Sequence, residues 1–234
     1  MEQTFDPERL RPIECVGEAD PRNLIFALID PTGSCRPMTL ADRHAEISEC
    51  VLHEGVPEDV RIQFETAKNI YLYSWFVYRF FTVAEHHSYT CLELALRERL
   101  KTEIASGKFG SKMPTLRSLL RCAVDYKLIR NEAFANWRNR GELNSRHRAE
   151  MEALRKMSEN NLEILAFDYS TVQITEDDLD WDYANKLVDT LPVLRNEYAH
   201  GSASVHNWSL RMIKISCEII NQLFEAPGHS PDIK

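Results

Sequence analysis

Apolar residues recur with a helical period over most of the chain beyond Pro57. Ile62, Ala67, Ile70, Val77, Phe80, Ala84, Cys91 and Leu94 follow a 3.6-residue spacing. This stretch predicts one long helix or two nearly collinear ones. Its length, roughly 40 residues, favours a break, placed near Thr82. Pro57, Glu58 and Asp59 suit its first turn, where a proline is tolerated and carboxylates meet the positive end of the dipole. A second helix is predicted over Thr115 to Ile129, with Leu116, Leu119, Leu120, Ala123 and Leu128 on one side. Glu132 to Arg140 reads as a short helix stopped by Gly141. Asn144 and Ser145 then cap another, running through Met151, Leu154, Met157 and Leu162 to about Phe167. Thr175, with Glu176, Asp177 and Asp178 behind it, predicts the start of a helix carrying Leu179, Tyr183, Leu187 and Leu191. Pro192 kinks it, Gly201 and Ser202 end it, and Val205 to Phe224 forms the last helix.

Residues 1–56 differ in pattern. A short apolar run from Leu24 to Ile29 stops at the turn signal Asp30, Pro31, Thr32, Gly33, and Thr39 is placed to cap a short helix through about His53. The division expected is therefore an N-terminal elaboration over 1–56, with one short strand and one helix, and a helical domain over 57–226. The polar segment 227–234 reads as a frayed tail. The fold class is all-α.

Composition narrows the chemistry. Only 8 glycines occur among 234 residues, and neither of the glycine-rich phosphate-cradling fingerprints is present. Six scattered cysteines without a C-x-x-C pair fit reduced thiols in a cytoplasm better than a disulfide-stapled domain. The N-terminal stretch lacks a signal-peptide pattern, and the longest apolar run is broken by Arg79, so no membrane partner is expected. A net charge of −8 argues at first against a nucleic-acid partner. Its distribution changes the picture, because residues 97–156 hold 15 Lys and Arg against 7 Asp and Glu. Such a segment supplies either a phosphate-tracking surface or merely the solvated faces of helices.

The sharpest chemical signal is Arg195-Asn196-Glu197-Tyr198-Ala199-His200-Gly201. Histidine exchanges protons near neutral pH, arginine presents a fixed fork of donors to phosphate oxygens, and asparagine can hold an imidazole or a backbone oxygen. On an ideal helix Asn196 and His200 share a face, whereas Arg195 and His200 point about 140° apart. The length of the arginine, or a helix end just before Gly201, must bridge that angle.

These residues are similar to the R-x4–6-H signature of HEPN domains, in which the arginine is commonly followed by a polar residue, as Arg195 is by Asn196. The stretch from Tyr73 to Glu85 and from Leu92 to Arg97 resembles uncharacterised bacterial members of the group, and the resemblance spans roughly 57–224. It implies a HEPN-like helical bundle acting as a metal-independent RNA endonuclease. A ribose 2′-hydroxyl attacks the adjacent phosphate, leaving a 2′,3′-cyclic phosphate and a 5′-hydroxyl. His200 would transfer protons, Arg195 would stabilise the phosphorane-like transition state, and Asn196 would orient one or the other. Glu93 and Tyr198 are possible accessory residues. The resemblance further implies RNA as substrate, a homodimer whose two motifs face one cleft, and a toxin or defence effector held in check by an inhibitory protein. It implies no cofactor and no metal. Members that have lost catalysis serve as binding modules, so a silent helical dimerisation or interaction module is the alternative.

Other groupings carry less. Glu93 and Arg97 form a favourable i, i+4 pair, and Glu85 could also reach a cleft. His86, His87 and Cys91 have a near metal-ligand spacing without a further ligand at fixed offset. A metal-dependent helical enzyme built on them is the third reading. Cys50 with His53, and Cys35 and His44 upstream, are irregularly spaced for zinc. The aromatic run Tyr71 to Phe81 reads as core and interface, and the acidic cluster Asp177 to Asp182 as a dipole-complementing turn.

Overall fold

The computed structural model describes residues 5–201 and 205–225. The expected tail 227–234 and Ser202 of the expected helix stop lie outside the described residues. Among the described residues eight α-helices carry the fold: α1 (Leu40–Ser48), α2 (Glu58–Tyr73), α3 (Phe80–Arg99), α4 (Lys101–Ala105), α5 (Leu116–Asp125), α6 (Ala135–Glu159), α7 (Tyr183–Ala199) and α8 (Ser209–Leu223). A hairpin of β1 (Ala27–Ile29) and β2 (Cys35–Pro37), with Leu28 opposite Arg36, is the only sheet among the described residues. The all-α expectation therefore holds.

α3 is the central element, packed between α2 and α8 and touching α5 and α7. Its buried residues Phe81, Ala84, Leu92, Ala95 and Leu96 meet Phe64 and Ala67 of α2, Leu119 and Leu120 of α5, Leu191 of α7 and Ile213 and Ile220 of α8. No helix among the described residues is long and apolar enough to cross a membrane.

The long helical stretch breaks between Tyr73 and Phe80, a turn earlier than expected at Thr82. No glycine or proline marks the break, and its cause is tertiary. The Asn23 side-chain amide donates to the carbonyls of Ser74 (2.8 Å) and Trp75 (3.0 Å), while the backbone N–H of Asp20 donates to Trp75 (2.9 Å). Asp20 in turn accepts from the N–H of Tyr78 at 3.2 Å, and Arg11 donates to the carbonyl of Phe76. The N-terminal segment thus satisfies the carbonyls and N–H groups that an interrupted helix leaves without partners.

Two further expectations are corrected. Gly141 does not stop a helix, because α6 continues through it for 25 residues and ends at Glu159 rather than near Phe167. Gly141 is buried because α6 crosses the 177–179 turn there, where a Cβ would collide with the side chain of Leu179. Thr175 does not start α7. Asp178 bends back instead, accepting from the N–H (2.8 Å) and hydroxyl (2.9 Å) of Thr175 and from Arg148 on α6 (2.8 Å). The helix begins later, capped by Asp182, whose side chain accepts from the N–H of Asn185. The acidic cluster is thereby divided between an interhelix ion pair and a helix cap. At the motif the reading holds more closely: α7 passes through Pro192, ends at Ala199, and turns at Gly201 with φ of 87°.

Candidate functional site

α3 and α7 run side by side, and the i+4 repeat Glu85, Tyr89, Glu93, Arg97 places four polar or aromatic side chains along one stripe of α3. α7 presents Arg195 and, three residues on, Tyr198 to that stripe. The two stripes match in antiparallel order.

At one end Glu93 binds two arginines. Its Oε2 accepts from Arg195 at 3.1 Å and its Oε1 from Arg97 at 2.6 Å, while Arg97 also donates to the carbonyl of Pro114 at 3.0 Å. Arg195 keeps a second contact, from Nη1 to the Oδ1 of Asn196 at 3.3 Å. The Arg195 side chain is 37% exposed and Glu93 17%. Arg195 and Asn196 open with Glu93, Thr115, Arg117 and Pro192 onto a cavity of about 400 Å³. Burial, and after it the charge of Arg195, holds His86 below its ordinary value.

His200 stands at the C-terminal end of α7, where its backbone N–H still closes onto the carbonyl of Asn196 at 3.0 Å. Its φ of −90° and ψ of 0° turn the chain off the helical path after this residue. The side chain is exposed, with no hydrogen bond or ion pair among the described residues. Arg195, Asn196 and His200 are thus all reachable from solvent at one helix end. Arg195 is held by a carboxylate, and the His200 side chain has no hydrogen bond or ion pair among the described residues.

At the other end lies a cluster that the sequence only half announced. Glu85 is 2% exposed and accepts from the hydroxyl of Tyr89 at 2.7 Å. Tyr198 stacks on Tyr89, with centroids 6.4 Å apart, and its hydroxyl lies 2.6 Å from Nε2 of His206. That nitrogen is also 3.8 Å from Oε2 of Glu85. Burial pushes the Glu85 carboxyl above its ordinary value, against the opposing pull of Tyr89 and His206. Burial and then the Glu85 charge push the Tyr89 and Tyr198 phenols up as well. Tyr198 was an expected accessory residue, but His206 carries no motif spacing and is found only through the fold.

The basic surplus of 97–156 is partly neutralised in place. Arg117 pairs with Asp189 at 2.7 Å, Arg148 with Asp178 at 2.8 Å and Lys156 with Glu152 at 3.1 Å. Among the described residues no group of three or more His, Cys, Asp and Glu side chains converges on a possible metal site, so His86, His87 and Cys91, and likewise Cys50 with His53, do not assemble one. Cys50 and Cys217 are instead buried thiols pushed up by burial to about 11 and about 12.

Comparison with known protein families, with curated proteins and with solved structures finds no match to this chain.

Proposed function

We propose that the chain is a HEPN-type, metal-independent RNA endonuclease whose site is the end of α7. The observation that carries this reading is the joint accessibility of Arg195, Asn196 and His200 at one helix end, with Arg195 held from below by Glu93 beside an open cavity. A phosphodiester needs a cation fixed before the reaction and a proton-exchanging group free to move. The arginine meets the first requirement and the exposed histidine the second. The 2′-hydroxyl attacks phosphorus, the bond to the 5′-oxygen breaks, and His200 carries the proton between them. Arg195 takes the charge that grows on the non-bridging oxygens, and Asn196 orients the phosphate or the imidazole. Glu93 is a positioning residue acting through Arg195.

Two copies of the motif facing one cleft would supply a second histidine, so that one accepts a proton while the other donates. A homodimer is therefore part of the proposal, as are a cytoplasmic site of action and a role as toxin or defence effector under an inhibitory partner. The second reading is a silent interaction module of the same fold. It is favoured by the ion pair of Arg195 with Glu93, which a merely structural arginine would also make.

The test is cleavage of single-stranded RNA by wild type, Arg195→Ala and His200→Ala. Each variant is expected to lose about 10²–10⁴-fold while unfolding at the wild-type temperature. A folded wild type that cuts no RNA turns the assignment to the silent module.

A further inference from the structure

We propose that the indole of Trp208 is a stacking platform for an unpaired base of single-stranded RNA next to the phosphate held by α7, an inference that rests on the ribonuclease reading. Trp208 is 76% exposed, whereas Trp75 is buried and Trp137 and Trp181 are half-buried. A lone exposed apolar residue needs no explanation in itself. This one is braced, and the brace leads back to the site.

Four rings stand in file from the core outward. Tyr89 to Tyr198 is 6.4 Å between centroids, Tyr198 to His206 is 6.1 Å, and His206 to Trp208 is 6.2 Å. Glu85 anchors the inner end through the Tyr89 hydroxyl and lies 3.8 Å from His206 Nε2. At the outer end the backbone N–H of Trp208 points to Nδ1 of His206 at 3.4 Å. With Nδ1 accepting, Nε2 carries the proton and donates to the Tyr198 hydroxyl at 2.6 Å. The buried carboxyl, the two phenols and the imidazole therefore hold the backbone at Trp208 and set one ring beside an indole that is itself in water.

Placement gives this platform its ligand. The Tyr198–His206 contact sets His206 against α7, one turn from Arg195. Trp208 therefore lies beyond Tyr198 on the Glu85 side of the motif, and exposed Arg211 follows it by one turn of α8. An exposed aromatic face with an exposed arginine one turn away suits a base on a single strand, since every base has a π-face and a duplex keeps its own bases stacked inside. A pre-braced ring also loses little conformational freedom on binding.

The experiment measures binding of a short 2′-O-methylated oligonucleotide, which cannot be cut, by fluorescence anisotropy, with sedimentation of each protein at the same concentration. Trp208→Ala is expected to weaken binding about 5- to 150-fold, the range that one base–aromatic stack supports. Trp208→Phe should fall between that variant and wild type, and His206→Ala should weaken binding by loosening the brace. A wild type that cleaves RNA, with Trp208→Ala binding unchanged, overturns the platform and leaves the nuclease standing. A Trp208→Ala protein that passes from dimer to monomer assigns the indole to a protein interface instead. A wild type that neither binds nor cuts overturns both.

Discussion

Glu93→Gln separates the positioning of Arg195 from its charge. The substitution keeps the shape of the side chain and removes the charge that two guanidinium groups share. Hydrogen bonds to charged groups contribute about 1.5–3 kcal/mol when well buried, against about 1 kcal/mol for neutral ones. Here Arg195 is 37% exposed and Arg97 27%, so solvent screens both pairs and the Arg195 pair sits near the about 0–1 kcal/mol of surface ion pairs. Arg97 keeps its bond to the carbonyl of Pro114, which limits its loss. The summed cost is about 1–3 kcal/mol, and in a chain of 234 residues that lowers Tm by about 2–12 °C. The amide keeps one accepting oxygen, which the closer Arg97 (2.6 Å against 3.1 Å) retains, so its NH₂ faces Arg195 and Arg195 leaves its place over the cavity. Misplacing a positioned group by an ångström costs about 10²-fold in rate. Thermal unfolding and RNA cleavage by the same preparation read both effects. The reasoning is refuted if Glu93→Gln melts and cleaves as wild type does, or if its cleavage falls only in step with the folded fraction.

Three further outcomes follow from the packing and the titrating groups. Asn23→Ala removes the amide that caps Ser74 and Trp75, so chemical denaturation should show a loss of about 1–3 kcal/mol, with hydrogen exchange faster at residues 74–79 than in α8. Because burial raises the Glu85 pKa above 4.5, its contribution to stability is full below that value and fades as pH rises through the raised one. Glu85→Gln should therefore gain on wild type as pH rises above about 4.5 in urea titrations, and a difference that stays constant as pH rises from there would contradict the sign. Gly201 has φ of 87° with open space around it, so Gly201→Ala should cost about 1 kcal/mol through backbone strain alone, and a stabilised variant would show that the turn is made differently.

What could be read in the sequence follows from where the determining contacts lie. The Thr39 cap, the start of α5 at Thr115, the periodicity of α2, α3 and α5, and the stop of α7 before Gly201 are set by neighbours in the chain, and they were legible. The break at residues 74–79 was misplaced because its cause, Asn23 and Asp20, sits some 50 residues away. Gly141 misled for the same reason. Local propensity marks a helix end there, whereas the glycine lets the side chain of Leu179 cross close against α6. In the site, Arg195, Asn196 and His200 were found by spacing. The Glu93 ion pair was read as local to Arg97 and proved to be shared with α7. His206 and Trp208 had no signal of their own, because their meaning comes from Glu85 and Tyr198, which the helices bring to them.

The most direct test is end-group analysis of RNA cut in the presence of EDTA by wild type and by His200→Ala. Chelator-resistant cleavage leaving a 2′,3′-cyclic phosphate and a 5′-hydroxyl, absent with a folded His200→Ala protein, is the predicted result. Cleavage abolished by EDTA, or ends of another kind, or equal cutting by the variant, would contradict the site and mechanism assigned to α7.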